Sequence, residues 1–149
     1  MKRIVVIAIA FVAAYFVMQS GLIPREHDAG SSTGTTAGNS NQALVAAFEN
    51  HRSNVQVQGS GHVTKVLADD NDGSRHQRFI VRVDSGQTVL IAHNIDLANR
   101  VASLSNGDRI EFYGEYEWNA KGGVIHWTHR DPQHRHVDGW IKHNGRTYQ

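Results

Sequence analysis

Val55–Leu67 reads VQVQGSGHVTKVL, and its reading decides the fold. Val55 and Val57 alternate with glutamines at a period of two, which is strand spacing. Val63, Val66 and Leu67 resume the apolar pattern after Gly59-Ser60-Gly61. Glycines inside a strand mark a bulge or sharp coil where backbones approach closely. A long strand interrupted in this way can serve both sides of a small closed barrel.

Downstream the same period recurs. Asp69–Gly73 (DDNDG) is a turn that resembles the start of a calcium loop, but it lacks that loop's later glutamate and helical flanks. Arg75–Asp84 alternates, with Phe79, Val81 and Val83 on one face and His76, Arg78, Ile80 and Arg82 on the other. Ser85-Gly86-Gln87 turns the chain into a third strand, Thr88–Ile95. Asp96–Leu104 carries Leu97, Val101 and Leu104 at helical spacing behind a capping aspartate, which predicts a short helix. Arg109–Trp118 is the fourth strand and Val124–His129 the fifth, joined by the turn Asn119–Gly123. Gly139–Ile141 and Arg146–Tyr148, around Asn144-Gly145, form a terminal hairpin. Upstream, Asn39-x-x-Gln42 resembles a capping box, and Leu44, Ala47, Phe48 and His51 predict a helix over Gln42–His51.

Five strands with a helix between the third and fourth is the order of an OB barrel. An SH3-like barrel accounts less well for Asp96–Leu104. The expected class is all-β with minor α: a small five-stranded OB-like barrel, preceded by an N-terminal apolar helix.

That apolar helix is Met1-Lys2-Arg3 followed by Ile4–Met18, fifteen residues without a charge, and the uncharged run continues to Ile23. Residues 1–23 read as a signal anchor or a signal peptide, with Lys2 and Arg3 on the cytoplasmic side. Residues 24–41 read as a flexible linker, rich in Gly, Ser, Thr and Ala from Asp28 to Asn41. The domain is 42–149. These segments predict a protein anchored in the bacterial inner membrane facing the periplasm, or secreted to the periplasm. The chain has no cysteine, which excludes disulfides, thiolate metal sites and a cysteine nucleophile. Of its 15 Lys+Arg, two precede the apolar run; the remaining 13 face 14 Asp+Glu, so the overall basic field that nucleic-acid binders carry is missing.

The most chemically loaded stretch is His126–His136, HWTHRDPQHRH. Imidazole and carboxylate suit zinc, and also nickel or copper. On a strand His126 and His129 point to opposite faces, so they cannot share an ion unless the strand breaks between them. The expected metal set is therefore His129, Asp131, His134 and His136, with a divalent cation such as zinc as the one cofactor such a set could take. His126 depends on register: a four-residue turn sets it opposite Glu115, a five-residue turn opposite Tyr116. Glu115–His126 would make a general acid/base pair. OB barrels bind ligands across strands two and three. Arg75, His76, Arg78 and Arg82 are the expected binding residues there, and Tyr113 and Trp127 could stack on sugar rings or bases. A plainer arrangement is also open, with the arginines paired to Glu111, Glu115 and Glu117 and the histidine loop merely solvated.

His93–Ala98, Gly114–Asn119, Gly122–His129, Asp131-Pro132 and Gly139–Ile141 together resemble a family of small bacterial envelope proteins known as a domain of unknown function. Its GGVIHWTH…DP phrase is the most specific part, and the resemblance covers Val57–Gln149. It implies a secreted or anchored single domain and brings no activity. The residues themselves point to a ligand-binding or interaction module whose ligand is an oligosaccharide, peptide or oligonucleotide, the last not favoured. A metal-dependent, nuclease-like hydrolase is the alternative. Its partners would be the membrane, through the N-terminal segment, and an envelope ligand.

Overall fold

The computed structural model describes residues 40–149. The segments read as anchor and tether lie outside the described residues, apart from the tether's last two positions. Among the described residues no helix is long and apolar enough to cross a membrane.

Among the described residues, one helix, α1 (Gln42–Glu49), precedes seven strands: β1 (Val55–Val66), β2 (His76–Val83), β3 (Thr88–Asn94), β4 (Arg109–Glu117), β5 (Val124–His126), β6 (Trp140–His143) and β7 (Arg146–Tyr148). The first five close a barrel in the order β1-β2-β3-β5-β4, with β4 returning to β1. Only β3 and β5 run parallel. This is the strand order expected of an OB barrel. The β6–β7 hairpin extends it, β6 pairing with Ile110–Tyr113 of β4 beyond the end of β5.

Closure depends on β1. Val55–His62 pairs with β4, while Gly61–Val66 pairs with β2, so Gly61 and His62 belong to both. A Cβ on Gly61 would lie 2.8 Å from Cγ1 of Val81 and collide with the carbonyl oxygen of Arg82. Only glycine lets the strands approach this closely at the corner. A bulge between Val63 and Lys65 then adds twist.

The inward row includes Val57, Val63, Phe79, Val81, Ile91, Ile110, Phe112, Tyr116 and Ile125, all fully buried or nearly so. Each such side chain contributes roughly 1.5–3 kcal/mol on burial. Leu44 and Ala47 of α1 complete this core. The helix starts at Asn41, not Asn39, and the Asn41 side chain does not cap it. Instead its amide bonds both backbone groups of Ser60, at 2.9 and 3.1 Å, pinning the helix to the β1 corner.

Two expected elements differ. Asp96–Leu104 is a series of turns, not a helix. Its backbone is engaged by side chains of the neighbouring strands: Asn94 Oδ1 accepts from Asp96 and Leu97, and Gln77 bonds both backbone groups of Val101. The Asn99 carbonyl accepts from His93. Side chains competing for backbone groups in this way displace the helical ladder. The fifth strand is also shorter than expected. It ends at His126, because Trp127 adopts φ 53°, a left-handed conformation that costs a bulky residue roughly 1–3 kcal/mol. Gly139 helps hold it there; a Cβ on it would strike the Trp127 carbonyl and lie 2.6 Å from that of Tyr113.

Candidate functional site

Alternation places one row of each strand outside the barrel. On β2 this row is His76, Arg78, Ile80 and Arg82; on β3 it includes Leu90 and Ala92; on β5, Val124 and His126; on β4, Tyr113, Glu115 and Glu117. Pairing sets Arg78 opposite Ala92, Val124 opposite Glu117 and His126 opposite Glu115. The last register is the one a four-residue turn demands. Asn119 enforces it by accepting the N–H groups of Lys121 and Gly123 on Oδ1, at 2.9 and 3.1 Å. Tyr116 adds a bond from its hydroxyl to the Gly122 carbonyl.

Asp70, His76, Arg78, Ala92, Glu117, Val124 and His126 line a surface depression of about 350 Å³. Ala92 and Val124 give it an apolar floor. Arg78 donates from Nε to the Ala68 carbonyl at 3.1 Å, and Asp70 lies 4.0 Å from Nη1.

At the β4 side of this depression, Glu115 stands between two imidazoles. Its Oε2 accepts a 2.7 Å bond from His136 Nε2, and its Oε1 lies 3.5 Å from His126 Nε2. Glu117 Oε1 is 3.8 Å from the same nitrogen. The buried Nε2 of His126 has no hydrogen-bond partner among the described residues. Glu115, Glu117 and His126 can each offer one donor atom within 4.8 Å of the other two.

The two histidines differ electrostatically. Burial lowers the pKa of His126, against the pull of Glu115 and Glu117, and the charge of His136 lowers it further. Burial acts the same way on His136, but hydrogen bonds to Glu115 and the Val137 carbonyl, with the charges of Glu115 and Asp131, outweigh it and raise its pKa. Both ring nitrogens of His136 face acceptors, since Nδ1 lies 2.8 Å from the Val137 carbonyl. Only the protonated ring can donate to both.

His136 is delivered by the loop after β5, and Asp131 organises that loop. Its Oδ1 accepts from Gln133 N–H at 2.9 Å, and its Oδ2 from Arg135 and His136 at 2.7 and 2.8 Å. These donors, that of Gln133 foremost, hold its carboxyl below the usual range. Asp131 N–H in turn bonds Asp138. The Trp127 ring stacks on His136 at 4.2 Å and 8°. A second depression of about 400 Å³, lined by Leu97, Trp127, Pro132 and His136 among others, opens beside this stack.

The structure therefore distributes the expected metal set differently. His129 is buried, with Nδ1 on the Arg130 carbonyl at 2.7 Å; His134 is exposed; Asp131 is occupied by backbone donors; His136 joins Glu115. The four do not converge as one donor set among the described residues, and the convergence falls on Glu115, Glu117 and His126 instead. The strand does break between His126 and His129, yet His129 does not join the donor group of His126 among the described residues. Beneath them, His93 Nδ1 meets the Thr128 hydroxyl at 2.8 Å and its Nε2 the Asn99 carbonyl at 3.1 Å. Burial pushes the His93 pKa down to about 4.

Of the expected binding residues, His76 and Arg78 line the depression, while Arg75 is tied to Asp96 by a 2.7 Å ion pair. Arg82 is exposed farther along β2. Tyr113 packs near Trp140, ring centroids 6.1 Å apart, beside Glu115 on β4. Among the described residues Arg75 and Arg78 pair with Asp96 and Asp70, not with Glu111, Glu115 or Glu117. Sequence reasoning missed Glu117 and Asp70 as site residues. Glu117 shares the outward row of Glu115 two positions earlier, a signal that becomes informative once the register is known.

No curated protein matches the chain. Residues 29–149 match the model of a family described as a protein of unknown function, DUF3465, and the chain belongs to that family.

Proposed function

We propose that the protein is a ligand-binding module of the bacterial cell envelope, held at or released from the inner membrane by residues 1–23, and that its ligand lies across the outer face of β2, β3, β5 and β4. One observation carries this reading: Arg78 and His76 from one side, and Glu117 and His126 from the other, converge over the apolar floor of Ala92 and Val124. A concave site with a few convergent polar groups is the usual form of a small-ligand site. Strands two and three are the binding surface of OB barrels.

The chemistry favours a short, charged oligosaccharide. Ala92 and Val124 suit the carbon face of a sugar ring, Arg78 an anionic substituent, and Glu117 the hydroxyls. Trp127, stacked on His136 beside the second depression, offers a further ring platform. An oligonucleotide fits less well, because 13 cationic residues beyond the N-terminal segment face 14 anionic ones. Binding of the full chain in detergent to acidic oligosaccharides, peptides and single-stranded DNA tests the reading. Capture of an acidic oligosaccharide, weakened about tenfold or more by Arg78→Ala, is expected. Preference for peptide or DNA, or indifference to Arg78→Ala, contradicts it.

A second reading, metal-dependent hydrolysis of a phosphodiester, is favoured by Glu115 lying between His126 and His136, an arrangement able to move a proton. Cleavage of a chromogenic phosphodiester that Glu115→Gln abolishes is its readout.

A further inference from the structure

We propose that Glu115, Glu117 and His126 form a binding site for a divalent transition-metal cation, zinc foremost, whose open coordination position faces the depression lined by Arg78 and His76. The donor atoms come from adjacent strands: Glu115 and Glu117 share the outward row of β4, and His126 is paired to Glu115 on β5. The ladder fixes the three backbones, and the bond from His136 holds the Glu115 carboxylate.

The spacing of His126 from the two carboxylates is wider than a hydrogen bond and close to that between ligands of one cation. His126 Nε2 lies 3.5 and 3.8 Å from the nearest oxygens of Glu115 and Glu117. An N–H···O bond would close to about 2.9 Å. Ligands on a tetrahedral zinc, with bonds near 2.05 Å, stand about 3.3 Å apart. The observed separations are within a few tenths of an ångström of that edge. The same nitrogen is buried and has no hydrogen-bond partner among the described residues, so in the Nδ1–H tautomer its lone pair is free for a cation.

Charge and support agree with this. Two carboxylates, one of them shared with the protonated His136, offset part of a dication's charge, and one imidazole with two carboxylates suits zinc better than calcium, which takes six or more oxygens. His136 is a positioning residue. Its 2.7 Å bond to Oε2 fixes the Glu115 carboxylate and leaves Oε1 turned to His126. With three protein ligands a fourth position is open, as in sites where a metal meets a ligand or an activated water. A sugar carboxylate or phosphate there would also reach toward Arg78.

Only that last role rests on the proposed ligand site; metal binding itself does not. The test is calorimetric titration of the tag-free full chain, in detergent and purified without chelator, with zinc and then manganese, alongside circular dichroism of every variant. The expected result is one zinc per chain, weakened about tenfold or more in Glu117→Gln and in His126→Asn and unchanged in Glu111→Gln, which lies outside the site. Cobalt in place of zinc should give the visible bands of a four-coordinate nitrogen–oxygen site, lost in Glu117→Gln. Absence of stoichiometric binding, or binding indifferent to both variants, overturns the site. If His126→Asn fails to fold, half-exposed Glu117 still decides. Zinc held at Glu117 without any oligosaccharide bound would overturn only the ligand reading. An oligosaccharide bound by a protein that takes no zinc would overturn only the metal site.

Discussion

Glu115 Oε2 lies 2.7 Å from His136 Nε2, and Oε1 of the same carboxylate lies 3.5 Å from His126 Nε2. One residue of β4 thus joins a strand histidine to a loop histidine. The short contact is a charge-assisted hydrogen bond; the longer one is not a hydrogen bond.

The two rings should therefore titrate apart. In metal-free protein, histidine-ring NMR should give His136 a pKa above the ordinary value of 6.5 and His126 one below it. Because the folded pKa of His136 is raised, its contact with Glu115 contributes fully below pH 6.5 and is lost as pH rises through the folded value. Glu115→Gln should bring the His136 pKa down. Two rings titrating together, or a His136 insensitive to that change, would contradict the arrangement.

His93 should contribute to acid sensitivity. It is neutral in both states above pH 6.5. Between 6.5 and about 4 the unfolded chain takes up a proton that the fold refuses, so stability falls as the pH drops across that window. At about 1.4 kcal/mol per pH unit the loss approaches roughly 3 kcal/mol. Urea unfolding from pH 7 to pH 4 measures it. His93→Asn should unfold more easily at pH 7, by about 1–3 kcal/mol, with a flatter pH slope. An unchanged slope would assign acid sensitivity elsewhere.

Asp131 should matter through the backbone. Asp131→Ala removes the acceptor shared by the Gln133, Arg135 and His136 amides. Hydrogen exchange at these three should rise well above that of the β2 amides, and the Trp127–His136 stack should loosen. Unchanged protection would mean that the loop is held by other contacts.

The barrel corner has its own test. Gly61→Ala places a Cβ against the Arg82 backbone and should cost about 1–3 kcal/mol or more, seen as a fall in Tm of roughly 4–8 °C per kcal/mol. Gly73→Ala, where nothing lies within 4 Å but the backbone is left-handed, measures strain at positive φ without a collision. A Gly61→Ala protein as stable as the parent would count against the corner as the reason for a glycine.

Much of the fold was legible because it is written in a period of two. Val55–Leu67, with its inset glycines, announced a strand shared by two sides of a barrel, and Asn144-Gly145 announced the terminal turn. Asp96–Leu104 misled because helical spacing of Leu97, Val101 and Leu104 says nothing of Gln77 and Asn94, which claim the backbone from other strands. The site was legible in its parts only. Arg78 and His126 were visible as candidates, but their sharing of one depression depends on the β3–β5 parallel pairing, a long-range contact. The loop histidines attracted a metal reading by composition, but the chain passes through left-handed residues at Trp127 and His134, a backbone path that spacing alone does not announce.

The most direct test of the proposed ligand site is a shift map. Isotope-labelled full-length protein in detergent would be titrated with the acidic oligosaccharide that binds it best, following backbone amides and histidine rings. The largest changes should fall on Arg78, Ala92, Val124, His126 and Glu117 and disappear in Arg78→Ala. Changes centred on α1 or on the β6–β7 hairpin, with these five residues unmoved, would contradict it.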